Sequence, residues 1–200
     1  VVLLSLGEET LAVHGQYPFP RQTYAQLISD LRNANAGMIA FTLMFPEADR
    51  FGGDEVFISW VKDNGIILAQ DASSRGRSDT APYVGTATLG AGDAYDFVPK
   101  YKGLVTNIKA LEEVAWGVGL INAGVEVDNI TRRIPLLSQI NGQLYPAMPL
   151  EIIRVIQDKP SYSLKADLDG IKDVMIPPYE PIKTDYNSSI WLNTNYTHVE

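Results

Sequence analysis

The chain is 200 residues long, 46% hydrophobic by composition, and carries a formal charge of −8. That charge argues against a nucleic-acid partner and against a basic anchor on anionic lipid, since both need clustered lysine and arginine. The absence of cysteine excludes disulfides, thiolate catalysis and zinc–thiolate sites.

Val1–Leu6, "VVLLSL", reads as a short strand buried on both faces. The chain thus opens inside an element, with no signal-peptide pattern, as an excised domain would. No apolar run approaches the roughly 20 residues that a membrane-spanning helix requires. Next comes "HGQYPFPR" (14–21), where Gly15 permits a turn and Pro18 biases Tyr17 toward extended geometry. Pro20 has its φ already set for a helix start. Tyr24, Leu27, Ile28 and Leu31 then recur at i, i+3, i+4 and i+7, which predicts a helix over 21–34. "GMIAFTLMF" (37–45) reads as a second buried strand, and 52–65 as a helix with Asp54 and Glu55 in its first turn. "IILAQ" (66–70) is the third strand.

Strand, helix, strand, helix, strand is a βαβαβ unit. It predicts one α/β domain over 1–200, with a mostly parallel sheet flanked by helices. Further on, 71–82 reads as a polar loop, 83–93 as a strand running into the glycine turn "GAGD", and 107–115 as a helix. Residues 116–129 suggest a strand and turn. "NG" at 141–142 marks a β-hairpin within 132–148, and 149–157 returns to helical spacing. The tail to Asn195 offers short strand-like runs, "VMIPP" and "IWLN".

The search for catalytic motifs is negative: there is no phosphate loop and no GxSxG elbow. His14, read as a turn residue after the first strand, and His198 lie in no metal-ligand pair. "PEADRFGGDE" (46–55) gathers Glu47, Asp49, Asp54 and Glu55 beyond a strand end, without EF-hand spacing, and reads as a solvated loop. "DLDGIKD" (167–173) likewise reads as a plain turn. Arg132 and Arg133 would point to opposite faces of a strand, one pairing with an acid and the other in water. Sequons occur at Asn129, Asn187 and Asn195. No metal and no cofactor is expected.

The order of motifs says more than any one of them. "LGEETL", "GQYPFPR", "GMIAFTLMFPEADR", "GDE", "GLINAGVEVDNITRRIPLLSQINGQLYPAMPLEIIRV", "IPPYEPI" and "NTNY" follow in sequence. In that order the chain resembles the second class of CHASE domains (cyclase/histidine-kinase-associated sensory extracellular), over nearly its whole length. Where the family has an aspartate ending its first strand, this chain has Gly7. Where it has one in its second strand, this chain has Thr42; the tryptophans of its W-P-W-P segment are Tyr17 and Phe19. Pro18, Pro20, Arg21, Asp128, Arg132 and Arg133 match the pattern and are expected to support the scaffold.

The resemblance implies a non-enzymatic, extracytoplasmic sensory domain of a bacterial membrane receptor. It would lie between transmembrane helices of the same chain, with an intracellular cyclase, histidine kinase or Ser/Thr kinase as output. A small-molecule or protein signal and a homodimer are the expected partners. The pocket is expected at the carboxyl ends of the three parallel strands, lined by Glu8, Glu9, His14, Arg21, Thr42, Glu47 and Asp71. Two other readings stand beside it: a soluble hydrolase-like α/β enzyme using strand-end carboxylates, and a dimerisation module without a small ligand.

Overall fold

The computed structural model describes residues 1–75, 86–124, 126–158 and 160–193. Val1–Leu6 is not a strand. It is irregular, exposed chain that leads into α1 (Glu8–His14), a helix with no buried residue. Apolar character alone does not make a strand; a ladder partner is needed, and no described strand pairs with this segment. His14 therefore ends a helix instead of following a strand.

Helix α2 (Arg21–Asn33) forms as its periodicity predicts, burying Arg21, Tyr24, Ala25 and Ile28. Strand β1 is only Ile39–Phe41, because the chain turns away at Thr42 to build a loop. Helix α3 (Asp54–Val61) carries its two acids in the first turn. Strand β2 (Ile66–Ser73) is the longest among the described residues and takes in the start of the supposed polar loop. The rest of that loop, 76–82, lies outside the described residues, as do Asn195, His198 and most of "NTNY".

β3 (Thr86–Gly90) runs into the "GAGD" turn, whose Asp93 caps α4 (Ala94–Phe97). β4 (Lys100–Tyr101), β5 (Gly103–Val105), α5 (Lys109–Glu112) and β6 (Gly117–Leu120) follow. β7 (Arg133–Pro135) precedes the hairpin of β8 (Leu137–Ile140) and β9 (Gln143–Pro146). Its two-residue turn puts Asn141 at φ 51° and Gly142 at φ 80°, the left-handed pair that the "NG" signal implies. Helix α6 (Met148–Ile156) comes next, then β10 (Tyr162–Asp167), β11 (Gly170–Met175), β12 (Ile182–Lys183) and β13 (Ser189–Trp191).

The architecture is mixed, not mostly parallel. β1 and β6 pair with β2 in parallel on the first sheet, but β5 joins β2 antiparallel. The second sheet, ordered β12-β11-β10-β3, is parallel only at β10–β3. Its strand β10 was not anticipated from sequence: its alternating burial shows only once β3, some 75 positions earlier, is beside it. The turn 167–170 joins β10 to β11, as the plain-turn reading of "DLDGIKD" requires.

β2 is buried on both faces, which explains its unbroken apolar run. Ile66 and Leu68 pack with the α2 and α3 aromatics, while Ile67 and Ala69 meet Met148 and Val155 of α6. Helix α6 comes so close to β6 that a Cβ on Gly119 would stand 2.5 Å from Met148 Cα. Within that contact lies a closed ionic triad. Arg154 donates to Glu151 through Nε (2.8 Å) and Nη2 (2.7 Å), and the Tyr162 hydroxyl donates to the same carboxylate. Burial, then the negative Glu151, push the Tyr162 hydroxyl far up, so it stays a donor.

Arg132 lies ahead of β7, so strand alternation does not separate it from Arg133, and both arginines pair with Glu126 (3.0 and 3.2 Å). Arg132 also grips Asp128 at 2.7 Å, and Arg133 reaches Asp185 at 3.4 Å and stacks on Trp191. The scaffold contacts at Asp128, Arg132 and Arg133 tie the 126–133 segment to the small β7–β13 sheet.

Removing one member of a buried pair strands the other charge. Arg154→Ala is expected to cost about 3–5 kcal/mol in urea unfolding followed by circular dichroism. A loss below about 1 kcal/mol, the range of an exposed pair, would contradict a water-excluded triad.

Candidate functional site

The "YPFPR" junction and the "PEADRFGGDE" loop, 26 residues apart along the chain at Arg21 and Glu47, fold onto each other. Pro20 is the N-cap of α2 and has no side chain that can cap it. Asp49 supplies the missing acceptor from the other loop: its Oδ2 takes the Arg21 N–H at 3.2 Å and the Gly53 N–H at 3.0 Å, while Oδ1 takes the Phe51 N–H at 3.3 Å. Asp54 Oδ2 in turn accepts the Asp49 N–H at 2.8 Å. A Cβ on Gly53 would fall 2.3 Å from Gln22 Oε1 and 2.8 Å from Asp49 Oδ2, so a side chain there would displace both. Asp49 and Asp54 are therefore the loop's ligature, while Glu47 and Glu55 stay exposed, as the solvated-loop reading has them.

Arg21 closes the knot. Only 8% exposed, it donates from Nη2 to the Glu47 carbonyl at 2.9 Å, faces Asp54 Oδ1 at 3.4 Å through Nε, and stacks on the Phe45 ring at 4.5 Å. Phe45 is fixed from behind by a buried asparagine: its N–H donates to Asn107 Oδ1 (2.8 Å), and Asn107 Nδ2 donates to the Ala69 carbonyl of β2 (2.9 Å). Asn107 was not singled out from sequence, and its place just ahead of α5 gives no local sign of so distant a partner. Tyr24 and Phe57 complete an aromatic cluster around Phe45, with ring centroids 5.2 and 4.9 Å away. Burial pushes the Tyr24 hydroxyl up to about 12, so it stays neutral.

Between the two loops opens a cavity of about 460 Å³, with Tyr17, Phe19, Tyr24, Phe45 and Phe51 as aromatic walls and Arg21, Glu47, Asp49 and Arg50 as charged ones. A second cavity, of about 420 Å³, lies between α1 and α2 and is lined by Leu6, Thr10, His14 and Leu27 among others. Phe19 and Tyr24 are walls of both. Phe19 is buried, with the rings of His14 and Tyr17 each 6.0 Å away.

The seven expected site residues are thus not gathered in one place. Arg21 and Glu47 line the first cavity, beyond the carboxyl end of β1, and His14 lines the second. Glu8, Glu9 and Thr42 are exposed and line neither. Asp71 accepts from Asn122 Nδ2 at 2.6 Å and also lines neither. The aromatic walls were not expected at the site: Phe19, Tyr24 and Phe45 belong to the buried core, and Tyr17 and Phe51 are the exposed rings that face the cavity. Among the described residues, no group of three or more His, Asp or Glu side chains is placed to hold a metal ion, and no helix is long and apolar enough to cross a membrane.

The family model of the CHASE2 domain matches residues 1–200. The chain belongs to the CHASE2 family. CHASE2 domains are extracellular sensory domains of receptors linked to cyclases and kinases, so sensing outside the cytoplasm is this chain's family role. No curated protein and no solved structure matches the chain. In this CHASE2 domain Pro18, Pro20 and Arg21 sit at the knot, while Gly7 and Thr42, at the positions of the family aspartates, stand outside both cavities.

Burial alone would raise the Asp49 pKa, but N–H donation from Arg21, Gly53 and Phe51, with the Arg21 charge, brings it below the ordinary aspartate value. A depressed folded-state pKa stabilises the fold at neutral pH, and that contribution is lost as pH falls through the depressed value. Asp49→Asn is therefore expected to lower the Tm at neutral pH and to flatten the acid limb below about pH 4. Parent and variant curves running parallel through that range would show that Asp49 contributes no such linkage.

Proposed function

We propose that this CHASE2 domain is the signal-input domain of a bacterial transmembrane receptor, held between membrane helices of its own chain in a homodimer. An intracellular cyclase, histidine kinase or Ser/Thr kinase is its output, and the domain itself carries out no chemistry. The signal is a small molecule received in the aromatic cavity beside Arg21. The observation that carries this reading is the double role of Phe19, whose ring is a wall of that cavity and of the cavity beneath α1. A ligand against Phe19 changes the seat of α1, and through it the course of residues 1–7.

Few contacts oppose such a shift. Helix α1 buries no residue, and its contacts with the core include only Leu11 packed against the aromatic cluster and the His14 ring edge-on to Phe19. A signal acts only by its preference for one arrangement over another; moving an equilibrium from 1:99 to 99:1 takes roughly 5.5 kcal/mol of differential binding. A weakly held arm lowers that requirement. The hydrolase-like reading finds less support, because Asp49 and Asp54 spend their oxygens on backbone N–H groups and Arg21.

Two measurements test the reading. The reading frame around the chain should encode an apolar helix of about 20 residues shortly before Val1 and another after Glu200. Polar flanks and an early stop would contradict a receptor. Because the chain has no cysteine, Ser5→Cys provides a single attachment point for a spin label. Phe19→Leu, which keeps the site apolar, should increase the label's mobility; an unchanged spectrum would break the link between cavity and arm.

A further inference from the structure

The charges around the aromatic cavity are balanced, and their partners are not. Two positive residues, Arg21 and Arg50, and two negative ones, Glu47 and Asp49, line it. Asp49 is saturated by three backbone N–H groups. Arg21 is more than nine-tenths buried; its Nε is ion-paired with Asp54 Oδ1 at 3.4 Å, while its Nη1 donates to no described residue. Glu47 is exposed, and its carboxylate has neither hydrogen bond nor ion pair among the described residues. Arg50 reaches over the Phe51 ring at 4.9 Å and forms no ion pair there.

A simple anion would find the two guanidinium groups offset by Glu47 and Asp49, and a simple cation would meet the reverse. A ligand carrying both charges a few ångströms apart satisfies both walls, and one with an apolar body also covers the aromatic faces. We infer that the cavity takes a small zwitterion, a free amino acid with an apolar side chain. Its carboxylate is held by Arg21 Nη1 and Arg50, its ammonium by Glu47 and the face of Tyr17, and its side chain lies against Phe51, which with Tyr17 is an exposed aromatic wall of the cavity. Charge-assisted hydrogen bonds suit the first two contacts, and cation–π attraction adds to the second. The volume of about 460 Å³ falls within the usual range for small-ligand sites.

The inference rests on the sensory reading of the cavity and is tested separately from it. Three probes share the benzyl side chain and differ in their charged ends: L-phenylalanine, its amide (cationic at about pH 6), and its anionic N-acetyl derivative. Binding to the 200-residue chain is followed by the amide NMR signals of Arg21, Phe51 and Gly53. The free amino acid is expected to bind about tenfold tighter than either single-charge probe. Glu47→Gln, at an exposed position, should weaken the amino acid and the amide but not the N-acetyl probe. Arg50→Gln should weaken the amino acid and the N-acetyl probe but not the amide. Equal binding of all three probes, indifference to both substitutions, or still signals with every probe would overturn the zwitterion. The sensory reading would survive that result, since it stands or falls on the flanking frame and the arm label.

Discussion

The structure of the candidate site depends on one buried cation at the start of a helix. Arg21 opens α2, whose Pro20 cap has nothing to offer the orphan N–H groups, and the chain repairs the defect from a loop that lies beyond β1. Once Asp49 accepts the Arg21 N–H, the guanidinium lies under that loop and takes the Glu47 carbonyl, Asp54 and the Phe45 ring as its surroundings. Each contact is modest alone, since an ion pair taken from water gains little unless its other hydrogen bonds are met. Together they make two segments with no sheet contact behave as one wall. The aromatic cavity exists because that wall is rigid while its outer side is left open.

The rest of the fold supplies the contrast. β2 is covered on both faces, and α6 is pressed against β6 by glycines and tied to β10 through the Glu151–Arg154–Tyr162 triad. The site is therefore hung from a stiff frame by way of Asn107, which links Phe45 to β2. On the other side of Phe19 the chain has almost no such anchorage, and α1 and the apolar residues before it stay exposed. A sensory domain needs both properties: a frame that does not yield and a segment that moves at low cost.

What could be read from sequence follows from how local each signal is. The α2 stripe, the "NG" hairpin and the helix at α6 depend on neighbours within a few residues, and they form where their spacing places them. Val1–Leu6 has the composition of a strand but no described partner, and partners are not written in a local window. The same limit hid β10, whose ladder partner β3 lies some 75 positions earlier in the chain. At the site, Arg21 and Glu47 stood out because charge beside a strand end is conspicuous. Tyr17, Phe19, Tyr24, Phe45 and Phe51 did not, because an aromatic residue looks the same in a core as in a cavity wall. Of the 46–55 acids, Glu47 and Glu55 are exposed as a solvated loop requires; for Asp49 and Asp54 only the fold shows that their oxygens are occupied by N–H groups.

The most direct test of the knot is hydrogen–deuterium exchange on Arg21→Lys. Lysine keeps the charge but loses the planar fork and the stacking on Phe45. If the guanidinium holds the loop, the amides of residue 21, Phe51 and Gly53, all donors to Asp49, should exchange about tenfold faster, while those of Ile67–Gln70 in β2 keep their rates. Unchanged exchange at the three Asp49 donors, or equal acceleration through β2, would mean that Arg21 is not what holds the cavity wall.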